Sequence, residues 1–322
     1  MDTGRGVEER QVKSLPAVVE QTGLDTRGLQ AGAEVVDHWL SSLDAKPTTI
    51  ETYRKAIKAF LLWTSQEGIT KPQREDVLAY KRHLEEEGKS PFTVGIYLTA
   101  TRRFFAYLES ERLYPDVAKN IKGPKRPRGF AKEALTGEQA RRLVDSIGVE
   151  ALNDLRDLAL INLMLRTGIR EVEATRADVG DIGREAGELV LRVHGKGRDS
   201  KDDFVVLTSH AYGPLADYLA ARGKVSNDDP LFPSYSNRNR HGRLSTRAVR
   251  GIVEKRLERA GLKEDRVSCH SLRHTAATLA LLGGADVVSV KDMLRHQNLN
   301  TTMTYVHSLN RVQDGAEKYV EF

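Results

Sequence analysis

The sequence contains only one cysteine, Cys269, in 322 residues. An intramolecular disulfide is therefore excluded, and a reducing compartment is the natural expectation. Long apolar runs are also missing, since stretches such as residues 59–63 are far shorter than the roughly 20 residues that a transmembrane helix needs. The N-terminal residues carry alternating charges and lack the apolar centre of a secretory signal. These features predict a cytoplasmic protein with no membrane partner.

The charge balance is only weakly basic, with 50 lysines and arginines against 45 acidic residues and a net charge of +5. Such a balance permits a polyanionic partner without demonstrating one, so the distribution of the charges has to decide. The length is sufficient for about two domains, each with a core of its own.

The N-terminal part predicts a helical domain preceded by an extension. Residues 1–30 have several glycines, many charges and little apolar periodicity, which is typical of a flexible extension. Residues 31–118 show helical periodicity, with one helix predicted over 74–87 and another over 90–110, where Ser90 is a candidate N-cap. We therefore expect a small all-helical domain over residues 31–118.

Residues 119–134 interrupt this periodicity and predict a linker. Between residues 119 and 132 there are six basic residues, two prolines, two glycines and no acidic residue. The segment is either a solvated basic loop or a strand of chain that lies along a phosphate backbone. In the second interpretation, the candidate contacts are Lys122, Lys125, Arg126 and Arg128.

A second domain is predicted over residues 135–322. Thr136 and Gln139 have the spacing of a capping box, and helical patterns follow. Over residues 189–193 and 204–207 the apolar period changes to two, which indicates a β-hairpin with Lys196 in its turn. The predicted fold class is therefore α+β, mainly α with a small β-sheet in the second domain.

Several polar residues of the second domain lie at predicted helix ends, in the hairpin turn or on one helix face. They are Arg170, Glu173, Lys196, His270, Arg273, His274, His296 and Tyr305. Each has an ordinary structural explanation when taken alone, because exposed charge and buried tyrosine are common. Their joint occurrence indicates a site.

A metal site is one interpretation of the histidines. His270 and His274 have the i, i+4 spacing of zinc ligands on a helix, and His296 could supply a third ligand. However, Arg273 lies on the same predicted helix face, where a guanidinium would repel a cation. No acidic residue stands beside His270, where a zinc protease carries its base. We therefore expect no metal.

Phosphate chemistry accounts for the whole set of residues. Arginine pairs with non-bridging phosphoryl oxygens through two parallel hydrogen bonds and stabilises charge that develops on them. A tyrosine oxygen can attack phosphorus and hold it covalently, and a lysine or histidine can protonate the departing oxygen. With so much fixed positive charge, this chemistry requires no metal and no other cofactor.

These residues fall into five motifs. The motifs are Thr167-Gly-Ile-Arg170-Glu-Val-Glu173, His194-Gly-Lys196-Gly, His270-Ser-Leu-Arg273-His274-Thr275, Leu294-Arg-His296 and Thr301-Thr-Met-Thr-Tyr305-Val-His307. In order and spacing they resemble the motifs of the tyrosine recombinases, also called the phage integrase family. The specific match spans residues 135–307, whereas the N-terminal part is similar to that family's core-binding domain only in size and pattern. Length and layout are most similar to those of the Xer-like members.

The resemblance implies a helical core-binding domain followed by a mixed catalytic domain of the tyrosine recombinase and type IB topoisomerase kind. It also implies that Arg170 and Arg273 bind the scissile phosphate and that Lys196 is the general acid for the 5′ hydroxyl. Arg243 is a further candidate for contact with the DNA backbone.

The remaining roles are implied in the same way. His270 would act as acid/base or phosphate ligand, His296 as a hydrogen-bond donor to phosphate, and Tyr305 as the nucleophile that forms a 3′-phosphotyrosyl link. Glu173 would orient the site. One departure is Arg295, because the family usually has glycine before the histidine that corresponds to His296.

The function implied by the resemblance is site-specific recombination of double-stranded DNA. Four protomers would exchange strands between two duplexes through a Holliday junction, to integrate or excise a mobile element or to resolve DNA dimers. Accessory DNA-binding proteins are candidate partners. Residues 310–322 either dock on the same or a neighbouring protomer or form a frayed end. The alternatives are DNA relaxation of the type IB topoisomerase kind and DNA binding by a regulator with an inactive site.

Overall fold

The computed structural model describes residues 26–125, 133–194, 200–313, 318 and 320; in the first and last helices, side chains are described from residue 34 and up to residue 306. The chain divides into two compact units, Met1–Arg128 and Gly129–Phe322. This division falls within residues 119–134, where the sequence predicts a linker. Among the described residues, no helix has the length and apolarity to span a lipid bilayer.

The described part of the first unit is helical. Its helices are α1 (Thr26–Ser41), α2 (Pro47–Gln66), α3 (Arg74–Glu86) and α4 (Pro91–Ser110). The predicted N-cap at Ser90 is confirmed, because its side chain accepts a hydrogen bond from the backbone N–H of Thr93 and proline follows at the first helical position.

Helix α1 begins within the segment that the sequence predicts as an extension. Residues 26–30 are helical, which corrects that prediction for this stretch, and residues 1–25 lie outside the described residues. Gly28 and Gly32 lower the intrinsic helix propensity here. The helix continues to Trp39 and Leu40, which are both buried, and packing of such a face outweighs weak local propensity.

Aromatic rings fill the core of the first unit. Phe60 meets Tyr80 and Phe105 edge to face, with ring centroids 5.0 Å and 5.8 Å apart, and Trp39 meets Phe104 in the same manner at 5.2 Å. These rings come from all four helices, so their contacts fix how the helices pack. The unit therefore has a hydrophobic core of its own.

The second unit combines helices with one small sheet. Its elements are α5 (Gly137–Asp145), α6 (Leu152–Thr167), α7 (Glu171–Arg176), β1 (Ile182–Glu185), β2 (Glu188–Val193), β3 (Asp203–Val206), α8 (Ser209–Arg222), α9 (Thr246–Arg259), α10 (Cys269–Leu282), α11 (Val287–Met293) and α12 (Leu299–Gln313). The capping box predicted at Thr136 and Gln139 is present at the start of α5. Helix α6 is buried along most of its length and forms the centre of the unit.

The sheet is antiparallel with strand order β1-β2-β3. The hairpin of β2 and β3 was predicted, and Val190 of β2 pairs with Val206 of β3. The turn predicted around Lys196 lies outside the described residues. Strand β1 was not predicted, because only Ile182 among its four residues is a strong strand former.

Helices α10, α11 and α12 pack around a small cluster of apolar side chains. The cluster consists of Ala277 from α10, Val290 from α11, Leu294 just after α11, and Tyr305 from α12. This packing brings the end of α11 and the ring of Tyr305 against α10. Residues that are far apart in the sequence are thereby assembled next to Arg273 and His274.

Candidate active site

The turn between α6 and α7 forms one side of the site. Helix α6 ends at Thr167, and Gly168 follows with a φ of +61°, in the left-handed region that favours glycine. A Cβ atom at Gly168 would lie only 2.5 Å from Cδ2 of Leu294. The close approach of Leu294 to the backbone at position 168 is therefore a second reason why this residue is glycine. The carbonyl oxygen of Gly168 accepts a hydrogen bond from Arg273, so the turn helps to hold that side chain.

Arg170 is bound to Glu173 through both its backbone and its side chain. The backbone N–H of Arg170 donates to Oε2 of Glu173 at 2.8 Å, and Nη1 donates to Oε1 at 2.5 Å. The two residues are three positions apart, a spacing that allows this ion pair. The other terminal nitrogen, Nη2, reaches the carbonyl oxygens of Leu294 and Arg295 at 3.4 Å and 3.3 Å.

Arg273 lies on α10 and is only 3% exposed. Its guanidinium donates to the carbonyl oxygens of Gly168 and Leu294. Burial, followed by the nearby charges of Arg170 and Arg295, lowers its pKa to about 9. Arg170, at the N-cap of α7, and Arg273, on α10, therefore both point at the carbonyl of Leu294.

Tyr305 lies in the same unit, on α12, and is 4% exposed. Its ring centroid is 5.3 Å from that of His274. Burial raises the pKa of its phenol to about 12, against the opposing charges of Arg273 and Arg170. At neutral pH the phenol is therefore protonated and close to both guanidiniums.

The three histidines differ in their surroundings. His270 is exposed and meets the buried His274 edge to face, with ring centroids 4.8 Å apart. Nδ1 of His296 lies 2.8 Å from the hydroxyl of Thr302. Burial first, and then neighbouring cationic and imidazole groups, lowers the pKa of His274 and of His296 to about 4, so both rings are neutral at pH 7. Within the described ranges, no group of three or more metal-binding side chains is placed to hold an ion.

Arg295 belongs to the site, although the sequence indicates only that it departs from a family pattern. Its φ is +54°, and its side chain is 4% exposed. Nη1 donates to the carbonyl of Met293 at 2.7 Å, and Nη2 donates to Oε2 of Glu173 at 2.6 Å. Burial alone would raise the pKa of Glu173, but Arg295 and Arg170 outweigh it and lower that pKa. The Glu173 carboxylate is therefore ionised between two guanidiniums.

The structure does not place the remaining predicted residues around the carbonyl of Leu294. Lys196, Arg126 and Arg128 lie outside the described residues, while Lys122 and Lys125 are exposed in the first unit. Arg243 donates to the carbonyl oxygens of Thr175 and Ala177 and pairs with Asp178. These contacts tie Arg243 into the second unit, and its contact with the DNA backbone stays a prediction.

Residues 133–311 match the Phage integrase family, and residues 36–112 match the Phage integrase, N-terminal SAM-like domain. The chain belongs to the phage integrase family. Among its relatives is the tyrosine recombinase XerD of Bifidobacterium longum, 32% identical over 80% of this chain and 86% of that protein. The tyrosine recombinase XerC of Actinobacillus pleuropneumoniae is 32% identical over 82% of this chain and 84% of that protein. As a member of this family, the protein is a tyrosine site-specific recombinase, an enzyme that cleaves and rejoins DNA.

Solved structures agree on the fold. The XerH site-specific recombinase, bound to a palindromic difH substrate in a post-cleavage complex, superimposes with a TM-score of 0.70 at 22% identity, over 88% of this chain and 83% of that one. A lambda integrase dimer bound to a COC′ core site gives a TM-score of 0.65 at 15% identity, over 84% of this chain and 96% of that one. The fold class predicted from the sequence, helical with one small sheet, is confirmed.

Proposed function

We propose that Tyr305 attacks a DNA phosphodiester that is held by Arg170 and Arg273. The observation that carries this proposal is that both guanidiniums contact the carbonyl oxygen of Leu294. The side chain of Leu294 belongs to the same apolar cluster as Tyr305. A non-bridging phosphate oxygen is a stronger acceptor for the same donors, because it is charged. The two contacts of Arg170 Nη2 are long for hydrogen bonds, so this nitrogen can turn to a phosphate at little cost.

In the proposed cleavage step, the phenol oxygen of Tyr305 forms a bond to phosphorus and the bond from phosphorus to the 5′ oxygen breaks. The phenol loses its proton and the departing 5′ oxygen gains one. The two arginines stabilise the charge on the five-coordinate phosphorus. Rejoining reverses these steps with the 5′ hydroxyl of another strand. Because the phosphotyrosyl link conserves the bond energy, the proposed reaction uses neither ATP nor a metal.

The proton transfers are assigned by environment and by family resemblance. Because Tyr305 keeps its proton at neutral pH, its attack needs a base. His270 is exposed beside the site, and partial desolvation and nearby arginines lower its pKa, so its neutral ring is the proposed base. Lys196 is the proposed acid for the 5′ oxygen. If Thr302 donates to Nδ1 of His296, the proton of that ring lies on Nε2 and is available to phosphate.

For the biological role, we propose resolution of DNA dimers by protomers that act together on two DNA sites in the cytoplasm. The Xer names of the relatives support this role. The neighbouring structures include a lambda integrase tetramer bound to a Holliday junction, which supports a tetramer on exchanging strands. Lys122 and Lys125, which are exposed, are proposed to contact the phosphate backbone.

The decisive experiment traps the covalent intermediate. Purified protein is incubated with fragments of its own genome that carry nicks, so that the short cleaved strand diffuses away, and adducts are collected after denaturation. Tyr305→Phe is expected to form no adduct while binding DNA as the wild type does. Tyr218→Phe is the matched control, because it removes the hydroxyl of another buried tyrosine, which is bonded to Tyr235. Adducts that persist in Tyr305→Phe would assign the nucleophile elsewhere.

Sequencing the trapped DNA identifies the recombination site and tests the biological role. A single chromosomal site is expected, and a plasmid that carries two direct copies should be resolved into two circles. Sites at the borders of a mobile element would contradict dimer resolution and indicate integration or excision. Relaxation of supercoiled DNA without strand exchange would indicate a topoisomerase.

A further inference from the structure

We infer that Arg295 is a positioning residue for DNA cleavage: it holds the carboxylate of Glu173 so that Glu173 directs the guanidinium of Arg170 to the scissile phosphate. This inference rests on the proposed function and deepens it. Arg295 would act through Glu173 and Arg170, without touching the reacting atoms.

Arginine is an unfavourable residue for the backbone at position 295. A φ of +54° lies in the left-handed region, where most side chains with a Cβ are strained, asparagine is tolerated better, and glycine is not strained. The buried Nε of Arg295 also has no hydrogen-bond acceptor among the described residues. Both features cost folding free energy, and strain of this kind is concentrated at functional sites. The side chain must therefore offset these costs through what it contacts.

The contacts of Arg295 converge on a single carboxylate. Oε2 of Glu173 accepts both from Nη2 of Arg295 and from the backbone N–H of Arg170, which leaves Oε1 to Nη1 of Arg170. Arg295 is itself fixed by its bond to the carbonyl of Met293. The carboxylate is thus held from both sides, and its free rotation is removed. Because one nitrogen of Arg170 is held by Oε1, the other points toward the carbonyl of Leu294, where the phosphate is proposed to bind.

The charges of the site are a second reason to expect that the ion pair between Arg295 and Glu173 matters for the site. Arg170, Arg273 and Arg295 all lie near one another, and Glu173 is the carboxylate that both Arg170 and Arg295 contact. Glu173 is 3% exposed, so an ion pair with it is weakly screened by solvent. Without Arg295, the carboxylate would keep its ion pair with Arg170 but would lose one of the groups that orient it.

Three substitutions distinguish the effect of the strained backbone at position 295 from the effect of the guanidinium. Arg295→Gly relieves the left-handed strain and removes the cation, and Arg295→Asn removes the cation while keeping a side chain that tolerates this backbone. Arg295→Lys keeps a charge without the planar fork. The matched control is Ala186→Gly, which relieves the same strain, at φ +49°, in the exposed turn between β1 and β2. DNA affinity and the single-turnover rate of adduct formation are measured for each.

We expect Arg295→Gly and Arg295→Asn to cleave roughly tenfold or more slowly than the wild type, since each loses a charge-assisted hydrogen bond that orients the site. DNA affinity should change less than about threefold, because no phosphate contact is removed. Arg295→Lys should recover part of the rate, and Ala186→Gly should match the wild type. Wild-type cleavage by Arg295→Gly, or an equal loss of binding and cleavage, would overturn the inference.

A double-mutant cycle tests whether the effect passes through Glu173. If it does, Glu173→Gln and the double variant with Arg295→Gly should cleave at the same rate, because the second change removes nothing further. Rate losses that multiply would show independent action and would overturn the inference. Failure of the proposed function is distinct, because the wild type would then form no adduct or Tyr305→Phe would still form one.

Discussion

Replacing Gly168 by alanine should damage both the stability of the second unit and the geometry of its site. The new Cβ would lie 2.5 Å from Cδ2 of Leu294, 3.5 Å from Cβ of Ala276 and 3.8 Å from Cγ of Arg273. The first of these distances is impossible without movement, and the carbonyl of Leu294 is the acceptor for both Arg170 and Arg273. Leu294 is fully buried, so its side chain has little room to rotate away, and a shift of its backbone would move the carbonyl that both arginines contact.

The magnitude follows from two costs. A non-glycine residue in the left-handed region costs about 1–2 kcal/mol. Forcing an extra methyl group into a packed core costs about 1–3 kcal/mol. The free energy of unfolding should therefore fall by about 2–5 kcal/mol, which corresponds to a decrease in Tm of roughly 4–20 °C for a unit of this size.

Thermal and urea unfolding measure this loss, and adduct formation on nicked DNA measures the displacement of the arginines. Gly284→Ala is the matched control, because Gly284 also has a positive φ, of +91°, but nothing lies within 4 Å of the added Cβ. The difference between the two variants isolates the clash with Leu294. If Gly168→Ala unfolds at the same midpoint as Gly284→Ala and cleaves DNA at the wild-type rate, the reasoning is refuted.

Two further predictions concern pH and salt. The pKa of His274 falls from 6.5 to about 4 on folding, so the unfolded state binds more protons than the folded state between these pH values. As the pH falls through this window, His274 should therefore lower the free energy of unfolding by about 3 kcal/mol. Urea unfolding of His274→Asn should show a correspondingly smaller pH dependence, and an unchanged slope would contradict the assignment. The double variant Lys122→Gln with Lys125→Gln should weaken DNA binding and reduce the slope of log affinity against log salt by about 2, one for each phosphate contact. An unchanged slope would show that neither lysine contacts DNA.

Local sequence signals predicted the helices over residues 74–87 and 90–110 and the start of α5. Ser90 with Pro91, and Thr136 with Gln139, are capping patterns that act over three or four residues, so they can be read without knowledge of the fold. The signals failed where an element depends on its neighbours. Strand β1 has little strand propensity and exists because it pairs with β2, and α1 extends through glycines because its later residues are buried.

As with the fold, the sequence predicted some parts of the site and missed others. The motifs named Arg170, Arg273 and Tyr305 as candidates, and all three lie in one unit around the carbonyl of Leu294 and the ring of His274. Their catalytic roles, and that of Lys196, stay predictions for the experiments above. Arg295 was visible in the sequence only as an unusual residue. Its contact with Glu173 could not be inferred, because it joins residues 122 positions apart.

The sequence by itself determined the family, the helical character and the candidate residues, since these depend on residue identity and on spacings within single elements. Only the tertiary structure decided which carbonyl the two arginines share, why Gly168 must be glycine, and which pKa values shift. These properties arise from burial and from contacts between distant segments. Such contacts exist only after the chain has folded, when helices α10, α11 and α12 enclose their common cluster.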